Sequence, residues 1–204
     1  MKGLMRFCGM VVIIGLLKIA PAHAIGLSIN PFSQTVGLGD SASVDVVVSG
    51  LEAETPDQIV SAFDLDLLYD TAFLSATDVV FGPYLGGGFP LSLPSEDLSN
   101  PGVVDFAEVS LLSDAVLSAN QPDTFTLATI SFSTIGVGTS ALTLVVNDDP
   151  LFNDVKGLAN GVLTFNFVDD GSITVVPEPG TISLFGVGLI GMLGYSWYRR
   201  REEV

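Results

Sequence analysis

Cysteine and histidine are nearly missing from this chain of 204 residues: it has one of each, Cys8 and His23, both close to the N-terminus. Between Ile25 and Val176 there is neither, and that stretch also lacks arginine and tryptophan. Disulfides, thiolate nucleophiles, histidine general bases and nitrogen–sulfur zinc sites are therefore excluded from it. Without arginine it has no planar fork for phosphate, and without tryptophan it lacks a common platform for sugar rings. Positive charge is equally scarce. Twenty acidic residues in this stretch face Lys156 alone, a formal charge of −19. Nucleic acid is excluded as a partner, because neutralising phosphates takes clustered lysine and arginine. Such a charge keeps a domain soluble and attracts cations. A glycosidase needs only two carboxylates, but among so many acids a suitably spaced pair arises by chance, and the stretch reads as non-catalytic.

What is present at the two ends is targeting chemistry. Lys2 and Arg6 give a positive start, Phe7 to Leu17 is apolar, and Ala22-His23-Ala24 offers the small residues that signal peptidase accepts. The expected signal peptide is residues 1–24, cut after Ala24. Pro21 ends any helix where the cleavage region must be extended.

At the other end, Pro177, Glu178 and Pro179 precede an uncharged run, Thr181 to Tyr198, and then Arg199, Arg200 and Arg201. The prolines fix φ and bias Val176 and Glu178 away from helix, which predicts an extended, solvated link. At about 1.5 Å per residue the run reaches roughly 27 Å as a helix, enough for a thin bilayer. Trp197 and Tyr198 fit an interfacial aromatic belt, and the arginines hold that end in the cytoplasm. A single transmembrane helix over 181–198 is expected, with the body of the protein outside. No two of its glycines are four apart, so a close-packing dimer motif is absent and the helix reads as an anchor.

The string VPEPGTISLFGVGLIGMLGYSWYRRR, Val176 to Arg201, resembles the PEP-CTERM sorting signal of Gram-negative bacteria. That resemblance implies processing at Pro177, Glu178 and Pro179 by an exosortase, a membrane-embedded cysteine protease or transpeptidase, often in species that make extracellular polysaccharide. It implies an inner-membrane precursor that ends at the cell surface or in the extracellular matrix. It covers only residues 177–204 and says nothing of what the exported domain does.

Residues 25–176 form one domain's worth of chain, and their pattern is β throughout. Ala42, Val44, Val46 and Val48 alternate with polar residues; Phe63, Leu65, Leu67 and Tyr69 alternate with Asp64, Asp66, Leu68 and Asp70, predicting a strand with one mostly acidic face. Leu74 to Phe81, Val103 to Val109, Thr124 to Phe132 and Ser140 to Asn147 continue the series. Between Leu127 and Ala128 the apolar phase shifts, as at a bulge. Gly82 to Gly102 reads as a long surface loop, and Leu163 to Val175 as a closing hairpin turned at Asp169-Asp170-Gly171. No helix of three turns is predicted. Short strands broken by turns predict a two-sheet sandwich.

SINPFSQTVGLGDSASVDVVVSG from Ser28, AFDLDLLYDTAFL from Ala62, the TLATISF strand and the final GSITV resemble a cohesin domain. The resemblance implies a nine-stranded jelly-roll sandwich, related to some carbohydrate-binding modules, with a dockerin-like protein as one potential partner through a sheet face. Two readings follow: a non-catalytic surface or matrix module, or a carbohydrate-binding module in which Tyr84 and Phe89 of the long loop serve as ligand contacts or simply cover the core. The ligand-binding residues are not identified by sequence. Asp148, Asp149, Asn153 and Asp154 around Pro150 have the oxygen chemistry of a structural calcium site, without EF-hand spacing, and read equally as a solvated acidic turn. No other cofactor is expected.

Overall fold

The computed structural model describes residues 25–51, 58–88, 90–146, 155–157, 161–165, 167–178, 180, 185–193 and 195. Among the described residues eleven strands lie between Gly26 and Val176: β1 (Gly26–Asn30), β2 (Ser33–Gly37), β3 (Ser41–Ser49), β4 (Ala62–Leu68), β5 (Leu74–Phe81), β6 (Ser92–Asp97), β7 (Val103–Ser110), β8 (Thr124–Thr134), β9 (Gly138–Val146), β10 (Phe167–Asp169) and β11 (Gly171–Val176). One sheet has the order β10-β1-β3-β8-β5, the other β2-β11-β9-β4-β7-β6. Two parallel pairs, β1 with β10 and β2 with β11, sit at sheet edges, while the remaining pairings are antiparallel.

Alternation sets which side chains meet between the sheets. Val44, Val46 and Val48 of β3, Phe63, Leu65 and Leu67 of β4, Val104 and Phe106 of β7, and Ile130 and Phe132 of β8 are all buried in one cluster. Phe63 meets Phe106 edge-on with centroids 5.9 Å apart, and Tyr69 meets Phe132 at 5.3 Å, the offset geometry that aromatic pairs favour. The phase shift in β8 is a bulge: Val46 faces Ala128 and Val47 faces Thr126, so Leu127 is the extra residue and both Leu127 and Ala128 are buried.

Two expectations are corrected. The region from Gly82 to Gly102 is not one loop; it contains a short 3-10 turn, Pro83–Leu85, and the edge strand β6. Pro94 is tolerated there because an edge strand needs fewer ladder donors, and Glu96 and Asp97 discourage edge-to-edge pairing. The closing segment is not a hairpin either. β10 pairs with β1 in one sheet and β11 with β9 and β2 in the other, so Asp170 lies at a crossing between sheets, its carboxylate accepting the Leu144 N–H at 3.1 Å.

The short helix α1 (Asp114–Asn120) buries Leu117 and ends at Gln121. The Gln121 amide accepts the Val60 N–H at 2.9 Å and donates to the Val60 carbonyl at 2.7 Å, standing in for a strand neighbour. Opposite this end, the chain leaves the sandwich at Val176, whose carbonyl accepts the Leu38 N–H at 2.9 Å. Pro177 and Glu178 beyond it are exposed and belong to no strand or helix, as the prolines dictate.

Residues 185–193 and 195 are helical. Phe185, Val187, Ile190, Met192, Leu193 and Tyr195 are each at least two-thirds exposed. The core cluster contains none of them, so among the described residues the sandwich closes its interior without these side chains. Among the described residues no helix is long and apolar enough to cross a membrane. Residues 1–24 with Ala24, the rest of the expected span with Pro179, Trp197, Tyr198 and Arg199 to Arg201, the acidic turn with Asp148, Asp149, Asn153 and Asp154, and Phe89 all lie outside the described residues.

Candidate interaction face

Strands β6, β7, β4 and β9 lie side by side, and their outward residues form one continuous face. Strand period puts Asp64 and Asp66 of β4, Asp105 and Ala107 of β7, and Leu93, Ser95 and Asp97 of β6 on that face. The register then lines up like charges: Asp66 opposes Asp105, Asp105 opposes Asp97, and Asp64 sits one pair along, opposite Ala107. Carboxylates directly across a sheet repel one another.

Titration reflects that crowding. Asp64 is pushed up to about 6, first by partial burial and then by the charges of Asp105 and Asp66. Asp105 is also raised, by burial and by Asp66 and Asp97. Asp97, fully exposed, is lowered by its hydrogen bonds from Ser99, including the Ser99 N–H at 2.8 Å. A carboxyl raised in the folded state contributes stability that is complete below its ordinary value and disappears as pH rises through the folded one. For Asp64 that window runs from its ordinary 3.8 to about 6. Asp64→Asn is therefore expected to stabilise the protein above this window by about 1 kcal/mol, after allowing for solvent screening of a group that is only partly buried. Thermal melting across the window checks it: the variant gains on wild type as pH rises, and parallel curves contradict it.

Beside the acids the same face turns apolar. Leu93 opposes Val109, and Leu91 continues the register opposite Leu111, whose N–H donates to the Leu91 carbonyl at 2.8 Å. These four are 46–54% exposed, a contiguous apolar patch beside the acidic cluster. At the opposite end of the face, Leu68, Thr139, Ala141 and Thr143 line a groove of about 660 Å³, closed by the Tyr69–Thr71 turn and by Pro101 and Gly102. Among the described residues there is no group of three or more carboxylates, histidines or cysteines arranged to hold a metal ion.

The inward side of β7 carries the feature that sequence reading passed over. Glu108 is fully buried; Ser92 Oγ donates to its Oε1 at 2.5 Å, and the Gly88 N–H donates to Ser92 Oγ at 2.8 Å. Its other oxygen, Oε2, has no partner. Burial raises the Glu108 carboxyl, and the Ser92 bond lowers it by less. This pair braces the edge strand β6 beneath the apolar patch. The alternation Val104, Phe106, Glu108 was the available signal.

Of the two loop aromatics, Tyr84 lies in the Pro83–Leu85 turn with its ring 5.0 Å from that of Phe125, covering the core. Of the acids predicted on the outer face of the Phe63-to-Asp70 strand, Asp64 and Asp66 are there, joined by Asp97 and Asp105, whereas β4 ends at Leu68 and Asp70 lies in the turn beyond it.

The PEP-CTERM protein-sorting motif matches residues 175–201. No curated protein sequence matches the chain. The fold is that of cohesins. The seventh ScaB type I cohesin from Pseudobacteroides cellulosolvens is 18% identical with a TM-score of 0.57, the match covering 76% of this chain and 94% of that one. CaCohA2 from Clostridium acetobutylicum is 21% identical, also with a TM-score of 0.57, over 77% of this chain and 94% of its own. The Coh-OlpA–Doc918 type I cohesin–dockerin complex from Clostridium thermocellum matches at 14% identity and a TM-score of 0.56, over 75% of this chain and 99% of that one.

Proposed function

We propose that this chain is an exported, non-catalytic binding module, delivered to the cell surface or extracellular matrix by an exosortase-type system and held meanwhile in the inner membrane by residues 181–198. The observation that carries the reading is the separation of parts: the last core residue of the sandwich is Val175, and the described apolar helix inside the sorting motif stays exposed. An apolar surface that the fold does not need is most readily used in lipid. Signal peptidase cleavage after Ala24 leaves Ile25 as the first residue, directly ahead of β1.

The partner is a protein held on the outer face of β6, β7, β4 and β9. An apolar patch of Leu91, Leu93, Val109 and Leu111 bordered by Asp64, Asp66, Asp97 and Asp105 has the layout of a protein interface, an apolar anchor with a charged rim that sets specificity. The cohesin neighbour solved with a dockerin supports this choice of partner class. A polysaccharide ligand has less behind it, since the Tyr84 ring, 36% exposed, already packs against Phe125.

Mass spectrometry of the protein from membrane and released fractions tests the route. The released form is expected to end close to Glu178, and replacing Pro177, Glu178 and Pro179 together by alanine is expected to trap the precursor in the inner membrane. Released protein that still carries Arg199 to Arg201 contradicts the proposal.

A further inference from the structure

The end of the sandwich from which the tail departs is built unlike a solvated end. Val176 closes β11 level with Gly37, and Val175 is opposite Gly138, so the β2–β3 and β8–β9 turns flank the exit. The β4–β5 turn joins them, its Phe73 carbonyl accepting the Ile135 N–H at 2.8 Å. Buried Thr134 locks the group: its hydroxyl accepts the Gly39 N–H at 2.8 Å and faces the Gly37 and Asp40 carbonyls at 2.8 and 2.9 Å. On this rigid platform Ile135 and Val137 are 55% and 49% exposed at the tip of the β8–β9 turn, and Val176 is 37% exposed beside them.

The charged groups of the three turns are turned to local use. Asp40 accepts the Gly37 N–H at 3.1 Å and Asp70 accepts the Ala72 N–H at 2.8 Å, each capping its own turn. The end carries no base, because Lys156 bridges to Ala62 and Val162 elsewhere. Thr181, where the apolar run begins, is five residue steps beyond Val176, with Pro177 to Gly180 between them. At about 3.1 Å per residue in the extended form that prolines favour, this link reaches roughly 16 Å, against a headgroup layer roughly 5–7 Å deep.

We infer that this end is a lipid-contacting surface, with Ile135 and Val137 seated in the zwitterionic headgroup layer of the membrane that the tail crosses. The inference rests on the proposed span at 181–198. It orients the module: β7 runs from the exit end toward Val109, so the Leu91–Leu93–Val109–Leu111 patch is carried at the far end, away from the bilayer. With Asp40 and Asp70 present and no base, the contact is apolar and anionic lipid weakens it.

The absence of cysteine from 25–176 makes the test clean. Full-length protein with Cys8→Ser and one added cysteine, Ile135→Cys, Val137→Cys or Leu111→Cys, is labelled with an environment-sensitive dye and reconstituted in phosphatidylcholine vesicles. Dyes at 135 and 137 are expected to emit to the blue of the dye at 111 and to be quenched several-fold more by spin-labelled lipid, the difference shrinking when phosphatidylglycerol is included. Equal quenching at 135 and 111 in protein that floats with the vesicles overturns the lipid contact and leaves the span standing. Protein that does not float with the vesicles overturns the span and the contact together.

Discussion

Ser92→Ala is expected to cost the folded protein about 2 kcal/mol, lowering the melting temperature by about 4–8 °C for a domain of this size. Ser92 is fully buried and its hydroxyl is the donor to Glu108, whose second oxygen already lacks a partner. Removing the hydroxyl leaves a buried carboxyl with no bond, which is dearer than never having had one. Replacing both partners, Ser92→Ala with Glu108→Leu, is expected to recover most of the loss, since an apolar pair has nothing to satisfy. The Gly88 N–H, left without Ser92, keeps access to solvent because Gly88 is only partly buried.

Acidity separates this pair from ordinary packing. Burial raises Glu108 above its ordinary 4.5. Its contribution is therefore complete below that value and is lost as pH rises through the folded one, so wild type weakens toward neutral pH while the double variant does not. A Ser92→Ala protein that melts with wild type at every pH contradicts this account of the pair.

How far the sequence reveals the fold depends on whether a strand is specified by its own pattern or by its neighbours. β3 and β4 alternate strictly because one side faces the core, and the Leu127–Ala128 doublet betrays its bulge because two adjacent apolar residues break a period of two. β6 has no such signature. Only Ser92 of its six residues is buried, and it exists because β7 supplies a ladder partner for each residue from Ser92 to Asp97. The same is true of β10, where the Asp169-Asp170-Gly171 turn signal is local but the pairing with β1 spans most of the chain.

The candidate face was half legible. Asp64 and Asp66 could be assigned to one side of a strand from spacing alone. That they meet Asp105 and Asp97 required the register of two further strands, and one of those was hidden in an apparent loop. The apolar patch was obscured for the same reason, since Leu91 and Leu93 look like loop residues until paired with Leu111 and Val109.

Removing residues 177–204 is expected to have the largest effect on where the protein resides and little on how it folds. The core cluster ends with Ile173 and Val175, and the exposed apolar residues of the tail helix contribute no member to it. On the proposed span, burial in the bilayer is the tail's main source of free energy: its eighteen uncharged residues include large side chains that would each gain about 1.5–3 kcal/mol on leaving water. A soluble core helix of equal hydrophobicity would behave oppositely, since its loss would empty the interior and unfold the sandwich.

The decisive comparison is thus the mature chain with and without residues 177–204, each followed by membrane sedimentation and thermal melting. The account predicts that truncation moves the protein from the membrane pellet to the supernatant while its melting temperature stays within about 2 °C, the shift produced by less than about 1 kcal/mol. A truncated protein that stays in the pellet, or that loses its cooperative melting transition, contradicts it.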